Sequence, residues 1–148
     1  MTQPALAPKE FARAENFVAT IEIDGLATVR VWRRPDLTAQ QGAELAERML
    51  EVVRRLAAQS GVVGIMVDLR EAPSVVGPRT EAVLGAVAAA MKGKGAVAFV
   101  AASDAMQQLQ LKRITTSADR AAVVSTTEAA RDFLLQPSRR PKSVPTAG

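Results

Sequence analysis

The sequence predicts a single α/β domain with a mixed sheet in the order ββαβαβαβα, and three observations predict it. A hairpin pattern comes first, because the alternating residues 17–23 run into Asp24-Gly25, a strong signal for a tight turn between antiparallel strands. Apolar runs without alternation follow at residues 62–67 and 96–101, as expected of strands covered on both faces. Segments whose apolar residues recur at helical spacing separate these runs. A helix that connects two successive strands implies that the strands pair in parallel.

Composition narrows the chemistry that the chain can perform. The sequence contains no cysteine, no histidine and no tyrosine. Without cysteine there is no disulfide, thiolate metal site or thiol nucleophile. Without histidine there is no imidazole base and no Ser-His-Asp triad. Carboxylates, Lys, Ser and Thr remain, and the expectation is a protein that is not an enzyme and needs no metal or cofactor.

The net charge of +4 comes largely from one end of the chain. Residues 136–148 carry three basic side chains and no acidic one, which leaves 16 basic against 15 acidic residues elsewhere. This end also has three prolines and no hydrophobic periodicity, so we predict a disordered basic tail. A nearly neutral body lacks the charge footprint of a nucleic-acid-binding domain, and nucleic acid is not an expected partner.

The chain is expected to act in the cytoplasm. No apolar run approaches the roughly 18–20 residues that a membrane helix needs. The first residues, rich in proline, alanine and charge, lack the continuous apolar stretch of a secretory signal.

The first half of the domain, predicted to span residues 17–135, is a hairpin followed by a long helix. Residues 1–16 are predicted to be a loose lead-in. Residues 26–32 form the return strand of the hairpin. Thr38 and Gln41 have the spacing of a capping box, in which each side chain satisfies a backbone N–H at the helix start.

The second half alternates helices and strands. Pro78 opens a helix over residues 78–91, since proline fits the first turn, where its missing N–H costs nothing. Ser103 and Asp104 cap a third helix over residues 105–114. The last strand spans residues 121–124, and a second Ser/Thr-x-x-Glu box at residues 125–128 opens the last helix. The third helix is predicted to turn Met106, Leu109 and Ile114 inward.

The central stretch, residues 62–80, organises these elements. A buried strand ends in the charged residues 68–71, and a helix begins at Gly77-Pro78. In open α/β sheets, ligands bind at the carboxyl ends of the strands. We call residues 68–80, with the turn at residues 103–104, the rim, and we place the candidate site there.

Five pieces of the chain, taken in order, resemble the STAS-like family, the sulfate transporter and anti-sigma-factor antagonist domains with their stand-alone bacterial relatives. The resemblance covers about residues 17–135 and implies a small cytosolic regulatory module that binds protein partners and, in some relatives, a small ligand or a lipid. The pieces are the hairpin turn, the entry to the first helix, the middle strand, the next strand and the closing strand–helix unit: residues 24–25, 37–38, 65–70, 97–100 and 123–133.

The resemblance also concerns a phosphorylation switch. In anti-sigma-factor antagonists, a phosphorylatable serine follows the middle strand within an Asp-Ser-Ser-Gly motif. Residues 73–80 of this chain lack that motif, and Ser74 is the nearest hydroxyl. A phosphate there would lie beside a helix N-terminus, where negative charge is favoured, and Arg79 could pair with it.

The candidate residues for partner binding or switching follow the two central strands. Two groups of candidates have a structural alternative. The charged pair after the first strand can be an internal ion pair, and the Ser-Asp turn can be a helix cap. We expect the turns after the two strands to meet at one edge, because parallel neighbours end on the same side. The candidates are Asp68, Arg70, Ser74, Arg79, Thr80, Ser103 and Asp104.

Two functions fit these observations. The first expectation is a non-enzymatic regulatory or scaffolding module that binds a protein, such as a kinase or another regulator, through the rim. The alternative is a carrier for a small ligand or a lipid, which needs an apolar cavity of several hundred Å³ between sheet and helices. The many alanines of the helices favour close packing over a cavity. The oligomeric state stays open.

Overall fold

A computed structural model describes residues 9–74, 76–116, 118 and 120–136. The predicted tail, apart from Gln136, and the first eight residues of the predicted lead-in lie outside the described residues.

The described residues form one α/β domain with a six-stranded mixed sheet and four helices, which confirms the predicted class. The spatial order of the strands is the order of the chain. The first two neighbouring pairs are antiparallel and the next three are parallel, so the third strand has one neighbour of each kind. No helix in these residues is both long and apolar enough to cross a membrane. The strands are β1 (Lys9–Ala14), β2 (Phe17–Ile21), β3 (Leu26–Trp32), β4 (Gly64–Glu71), β5 (Ala96–Val100) and β6 (Ala121–Val124), and the helices are α1 (Ala39–Ala57), α2 (Pro78–Ala88), α3 (Ala105–Thr115) and α4 (Thr127–Leu134).

The first strand corrects the prediction of a loose lead-in. Lys9–Ala14 pairs with β2, with Ala14 opposite Phe17 and a bulge after Glu10, so the element order gains one strand at its start. A short, charged strand of this kind carries little propensity of its own and is stabilised by pairing with its neighbour. Charge and a bulge also protect an edge strand from pairing with other chains.

The sheet separates two cores of unequal size. Helices α1, α2 and α3 cover one face, where Ile65, Val67 and Phe99 are fully buried. Helix α4 covers the other face, where Met66 packs with Leu134. Alternation along β4 therefore places Ile65 and Val67 on the side of α1–α3 and Met66 on the side of α4, as expected for a strand covered on both faces.

The predicted turn at Asp24-Gly25 is confirmed. Gly25 has φ +87°, a left-handed conformation that favours glycine, and its carbonyl accepts a hydrogen bond of 2.8 Å from the N–H of Val63. Arg131 of α4 pairs with Glu22 at 3.2 Å and also with Asp24. The hairpin turn is thus connected both to the start of β4 and to the last helix.

One of the two predicted capping boxes forms. The Thr38 hydroxyl accepts from the Gln41 N–H at 3.1 Å, and the Gln41 side chain accepts from the Thr38 N–H at 2.9 Å. The second box is wrong by one residue, because Thr126 caps α4 by accepting from the Ala129 N–H at 3.0 Å. Three consecutive hydroxyl residues compete for this position, and Glu128 then falls at the second helical residue, too early to close a box.

The predicted inward face of α3 is wrong for two of three residues. Met106 and Leu109 are 59% and 63% exposed, whereas Ile114 is buried as predicted. The helix instead turns Gln107 inward, where its side chain accepts from the Ala102 N–H at 2.8 Å and donates to the Leu69 carbonyl at 2.9 Å. These two hydrogen bonds satisfy backbone groups at the ends of β4 and β5, which favours burying an amide over burying a methionine.

Candidate functional site

A cavity of about 510 Å³ lies between the sheet and helices α1–α3, at the carboxyl ends of β3 and β4. Its walls are mostly carbon, and its polar side chains come from the β1–β2 turn, α1, α3, the first turn of α2 and the segment before α2. The alanines of the helices favoured close packing between helices and sheet, and this prediction is wrong at the cavity. Apolar side chains from five elements line it: Phe17, Val31, Ala46, Met49, Leu84 and Leu111.

Small residues of α1 make this space. Gly42, Ala43 and Ala46 lie on the cavity side of the helix. A Cβ atom added at Gly42 would have no heavy atom within 4 Å, so the helix does not use this glycine for close approach. Helix α1 packs into the core through Met49 and its other large buried residues, and the small side chains beside the cavity do not fill it.

A short segment after β4 lies over the cavity; we call it the roof segment (residues 72–74 and 76–77). Gln110 of α3 binds it through both ends of its side chain, accepting from the Val76 N–H at 3.1 Å and donating to the Val76 carbonyl at 3.0 Å. The same amide donates to Glu81 at 3.0 Å, and Arg113 pairs with Glu81 at 3.0 Å. The roof segment is therefore attached to α3 rather than to α1.

Ser74 and Asp104 meet at the edge of the cavity, as expected for turns that follow neighbouring parallel strands. The Ser74 hydroxyl donates to the Asp104 carboxylate at 2.6 Å. Asp104 also caps α3 by accepting from the N–H groups of Met106 at 2.8 Å and Gln107 at 3.2 Å. The hydrogen bond from Ser74, followed by those two, holds the pKa of Asp104 below its usual value. Ser103 is exposed beside this pair.

Arg79 and Thr80 lie in the first turn of α2 and line the cavity. The Arg79 guanidinium donates to Glu47 of α1 at 2.9 Å and so links the first turn of α2 to α1. This hydrogen bond lowers the pKa of Glu47 and raises that of Arg79. Arg79 is thus engaged with α1 and not with Ser74, the residue that the sequence suggested it could serve.

Asp68 and Arg70 lie apart from the other candidates. Arg70 donates to both carboxylate oxygens of Asp68, at 3.0 and 2.7 Å, and its backbone N–H donates at 3.1 Å. Asp68 follows Met66 by two residues on β4 and therefore faces the side of α4, away from the cavity. The structure brings Ser74, Arg79, Thr80, Ser103 and Asp104 to one end of the domain and leaves this pair across the sheet.

The Asp68–Arg70 pair makes the stability of the fold depend on pH in the acidic range. Burial alone would raise the pKa of Asp68, but the hydrogen bonds from the Arg70 side chain and backbone outweigh burial and hold it below its usual value. The folded protein therefore binds this proton less readily than the unfolded chain. The contribution is full above the unfolded pKa of about 3.9 and is lost as the pH falls through the lower folded value.

We expect Asp68→Asn to lower the free energy of unfolding by about 1–2 kcal/mol at pH 7 and by less at pH 3. Urea unfolding at pH 7, 5 and 3 measures the loss in the free energy of unfolding and its dependence on pH. The control is Asp132→Asn, at an exposed position of α4, which should follow the parent protein at every pH. A constant difference between Asp68→Asn and the parent from pH 7 to pH 3 would contradict this account.

Several cavity residues carry no functional signal in the sequence. Asn16 lines the cavity from the turn between β1 and β2, and its side-chain oxygen is buried without a hydrogen-bond partner among the described residues. Gly42 and Ala46 are ordinary helix residues by pattern. The sequence offered one signal for the site, the pair Gln107 and Gln110. Side chains three residues apart share a helix face, and two amides on one face can be buried together where they hydrogen-bond to backbone groups.

In the part of the chain that the structure describes, no three acidic side chains lie close enough to hold a metal ion. No protein-family model matches the sequence, and the search of curated proteins also finds no match. By its geometry, the site can hold an apolar molecule against walls that are mostly carbon, with a few polar side chains beside it.

Proposed function

We propose that this protein binds a small, largely apolar molecule in the cavity and acts as a non-enzymatic binding or carrier module. The observation that carries the proposal is the volume of about 510 Å³, together with walls that are mostly carbon. Ligand pockets typically measure about 300–1,000 Å³ and have apolar walls with a few polar groups, and this cavity has both properties. Of the two functions suggested by the sequence, the carrier is the one that requires such a space.

The cavity supports weak affinity. Burying roughly 200 Å² of apolar ligand surface contributes about 5 kcal/mol at about 25 cal/mol per Å². The loss of translational and rotational freedom offsets part of this, so dissociation constants above about 0.2 mM are expected. Binding should therefore be measured at high protein concentration.

Gly42→Leu should block the cavity without unfolding the protein. The added side chain enters open space, and leucine favours the helix more than glycine does. We expect affinity for apolar probes to fall by more than about tenfold, because each 1.4 kcal/mol of lost contact is a factor of about ten. NMR of the methyl groups of Met49, Leu84 and Leu111, titrated with 1-octanol and with naphthalene, measures this directly.

The matched control is Ala58→Leu, which adds a leucine side chain at the exposed C-cap of the same helix. It should leave both titrations unchanged. Equal affinities for the parent protein and Gly42→Leu, or no saturable shift of these methyl groups with either probe, would contradict the proposal.

A second candidate function is the regulatory module that binds a protein at the rim, as the STAS-like resemblance implies. Exposed apolar side chains support it, because Met106 and Leu109 lie on α3 directly after the Ser103-Asp104 turn. Methionine is frequent at adaptable binding surfaces. In this proposal the protein is cytosolic and its partner is a kinase or another regulator. A pull-down from native lysate with the parent protein and a Met106→Ser/Leu109→Ser variant tests whether that face captures such a regulator.

A further inference from the structure

The positive charge of the chain is concentrated at the edge of the sheet opposite the cavity. We call it the basal edge; it is formed by the ends of α1 and α4 and the turns before β3, β4, β5 and β6. Its described residues are 22–25, 54–63, 92–95, 118, 120 and 131–136.

The basal edge accounts for the whole excess of positive charge. Together with Asp119 and residues 137–148, which follow Gln136 in the chain, its segments include nine basic and four acidic residues. Of the 19 basic and 15 acidic residues in the sequence, 10 basic and 11 acidic residues then lie elsewhere. The rest of the protein is therefore close to neutral, and a negatively charged surface is attracted to this edge.

Contacts join the segments of the basal edge. The N–H of Val63 donates to the carbonyl of Gly25 at 2.8 Å, which connects the turn before β4 to the hairpin turn. Lys94 donates to the carbonyl of Gln59 at 2.6 Å, which connects the turn before β5 to the end of α1. Arg131 of α4 pairs with both acidic residues of the hairpin turn. The helix ends and the turns therefore lie side by side.

Most basic side chains of the basal edge are available to a partner. Arg131 is engaged with Glu22 and Asp24. In the part of the chain that the structure describes, the other basic side chains of this edge make no ion pair, and all but the last are exposed: Arg54, Arg55, Lys92, Lys94 and Arg120.

Three large apolar side chains are exposed at the same edge. Ile23, Val63 and Leu135 are 64%, 46% and 46% exposed. They belong to the hairpin turn, the turn before β4 and the end of α4, which the contacts above hold together. Among the described residues, the other two exposed large apolar side chains lie on α3. The basal edge thus combines unpaired basic groups with apolar side chains in contact with water.

We propose that the basal edge docks on an anionic lipid bilayer, an interaction that goes beyond the proposed function and does not rest on the cavity. Basic side chains are attracted to negative headgroups, and exposed apolar side chains enter the boundary between headgroups and acyl chains. A nucleic acid would satisfy the basic groups through its phosphates but would leave Ile23, Val63 and Leu135 without an apolar partner. Because the cavity lies at the opposite edge, the docked protein keeps it facing solution.

Co-sedimentation with lipid vesicles tests this proposal. We expect the parent protein to sediment with vesicles of phosphatidylcholine and phosphatidylglycerol at about 0.1 M salt, to be released at about 0.5 M salt, and to stay in solution with pure phosphatidylcholine vesicles. A protein that stays in solution with the anionic vesicles, or that binds both kinds of vesicle equally, would overturn the proposal. This comparison needs no variant.

A charge reversal locates the interaction. Each basic residue near an anionic surface strengthens binding about fivefold, so Lys92→Glu, which changes the charge by two, should weaken binding about 25-fold. The matched control is Arg33→Glu, an exposed position just after β3, at the opposite edge. The seven residues of β3 span about 23 Å, more than the screening length of about 10 Å at 0.1 M salt, so Arg33→Glu should bind as the parent does. Equal losses for both variants would contradict docking through this edge.

A second pair of variants tests the apolar part of the surface. Ile23→Ser/Leu135→Ser should weaken binding to anionic vesicles by about tenfold or more, because less apolar surface enters the bilayer. Met106→Ser/Leu109→Ser removes two equally exposed side chains from α3 and should leave binding unchanged. If Ile23→Ser/Leu135→Ser binds as tightly as the parent, or if the parent binds a short DNA duplex in preference to the vesicles, the basal edge is not a membrane surface. Thermal unfolding confirms that each variant is folded.

Discussion

Replacing Phe99 by alanine is expected to lower the free energy of unfolding by about 3–5 kcal/mol. Phe99 is fully buried in the middle of β5, with Val67 and Val123 beside it on the neighbouring strands. Aromatic residues make up only 3% of the sequence, and the core around this ring consists mainly of aliphatic side chains. Such neighbours are close-packed and cannot expand into the vacated volume, so the loss of burial and the new void add.

Urea unfolding at pH 7 measures this effect. A loss of this size is a large share of the roughly 5–15 kcal/mol that stabilises a typical domain. Leu109→Ala is the control, because Leu109 is 63% exposed on α3 and should change stability by about 0.5 kcal/mol or less. A loss for Leu109→Ala comparable to that for Phe99→Ala would show that α3 packs in the orientation first predicted from its sequence.

Gly95→Ala is expected to destabilise the protein by about 1–3 kcal/mol or more, although it adds a single methyl group. A Cβ atom at this position would lie 2.3 Å from the carbonyl oxygen of Val63 and 3.1 Å from the Met91 side chain. Methionine can move aside, but the Val63 carbonyl belongs to the backbone just before β4 and cannot move without shifting the strand. Gly95 thus sets how closely the chain before β5 approaches the chain before β4.

Thermal and urea unfolding of Gly95→Ala and Gly61→Ala test this prediction together. A Cβ atom at Gly61 would meet no heavy atom within 4 Å, so Gly61→Ala should be neutral or slightly stabilising. If the two variants have equal stability, the close approach at Gly95 is not a constraint on the fold.

The fold was predictable where one local pattern has one structural meaning. Asp24-Gly25 with alternation before it leads to a hairpin, and the apolar runs that became β4 and β5 are short and separated by helices, which leaves parallel pairing as the remaining solution. The sequence did not predict a strand at Lys9–Ala14, because this segment is a strand through its pairing with β2 and not through its own composition. The phase of α3 was wrong because hydrophobicity favours Met106 inside, while two unsatisfied backbone groups favour Gln107.

The site was predictable only in its location. The carboxyl ends of parallel strands lie at one edge, which correctly anticipated the contact of Ser74 with Asp104. The cavity was not predictable, since alanines on a helix allow either close approach or an unfilled space, and distant large residues decide between them. The side-chain oxygen of Asn16, which is buried without a hydrogen-bond partner among the described residues, is likewise a property of the folded chain that no sequence pattern records.

The coincidence of chain order and spatial order in the sheet bears on how the domain folds. Every strand has its sequence neighbour as its spatial neighbour, so no strand must be inserted between two others that are already paired. Loop closure for each parallel pair spans one helix, which limits the entropic cost of each step. The sheet can therefore grow by one strand at a time from the hairpin, in the direction of synthesis. Helix α4, the last described element of the chain, packs on Met66 and Ala98 and so completes the smaller core.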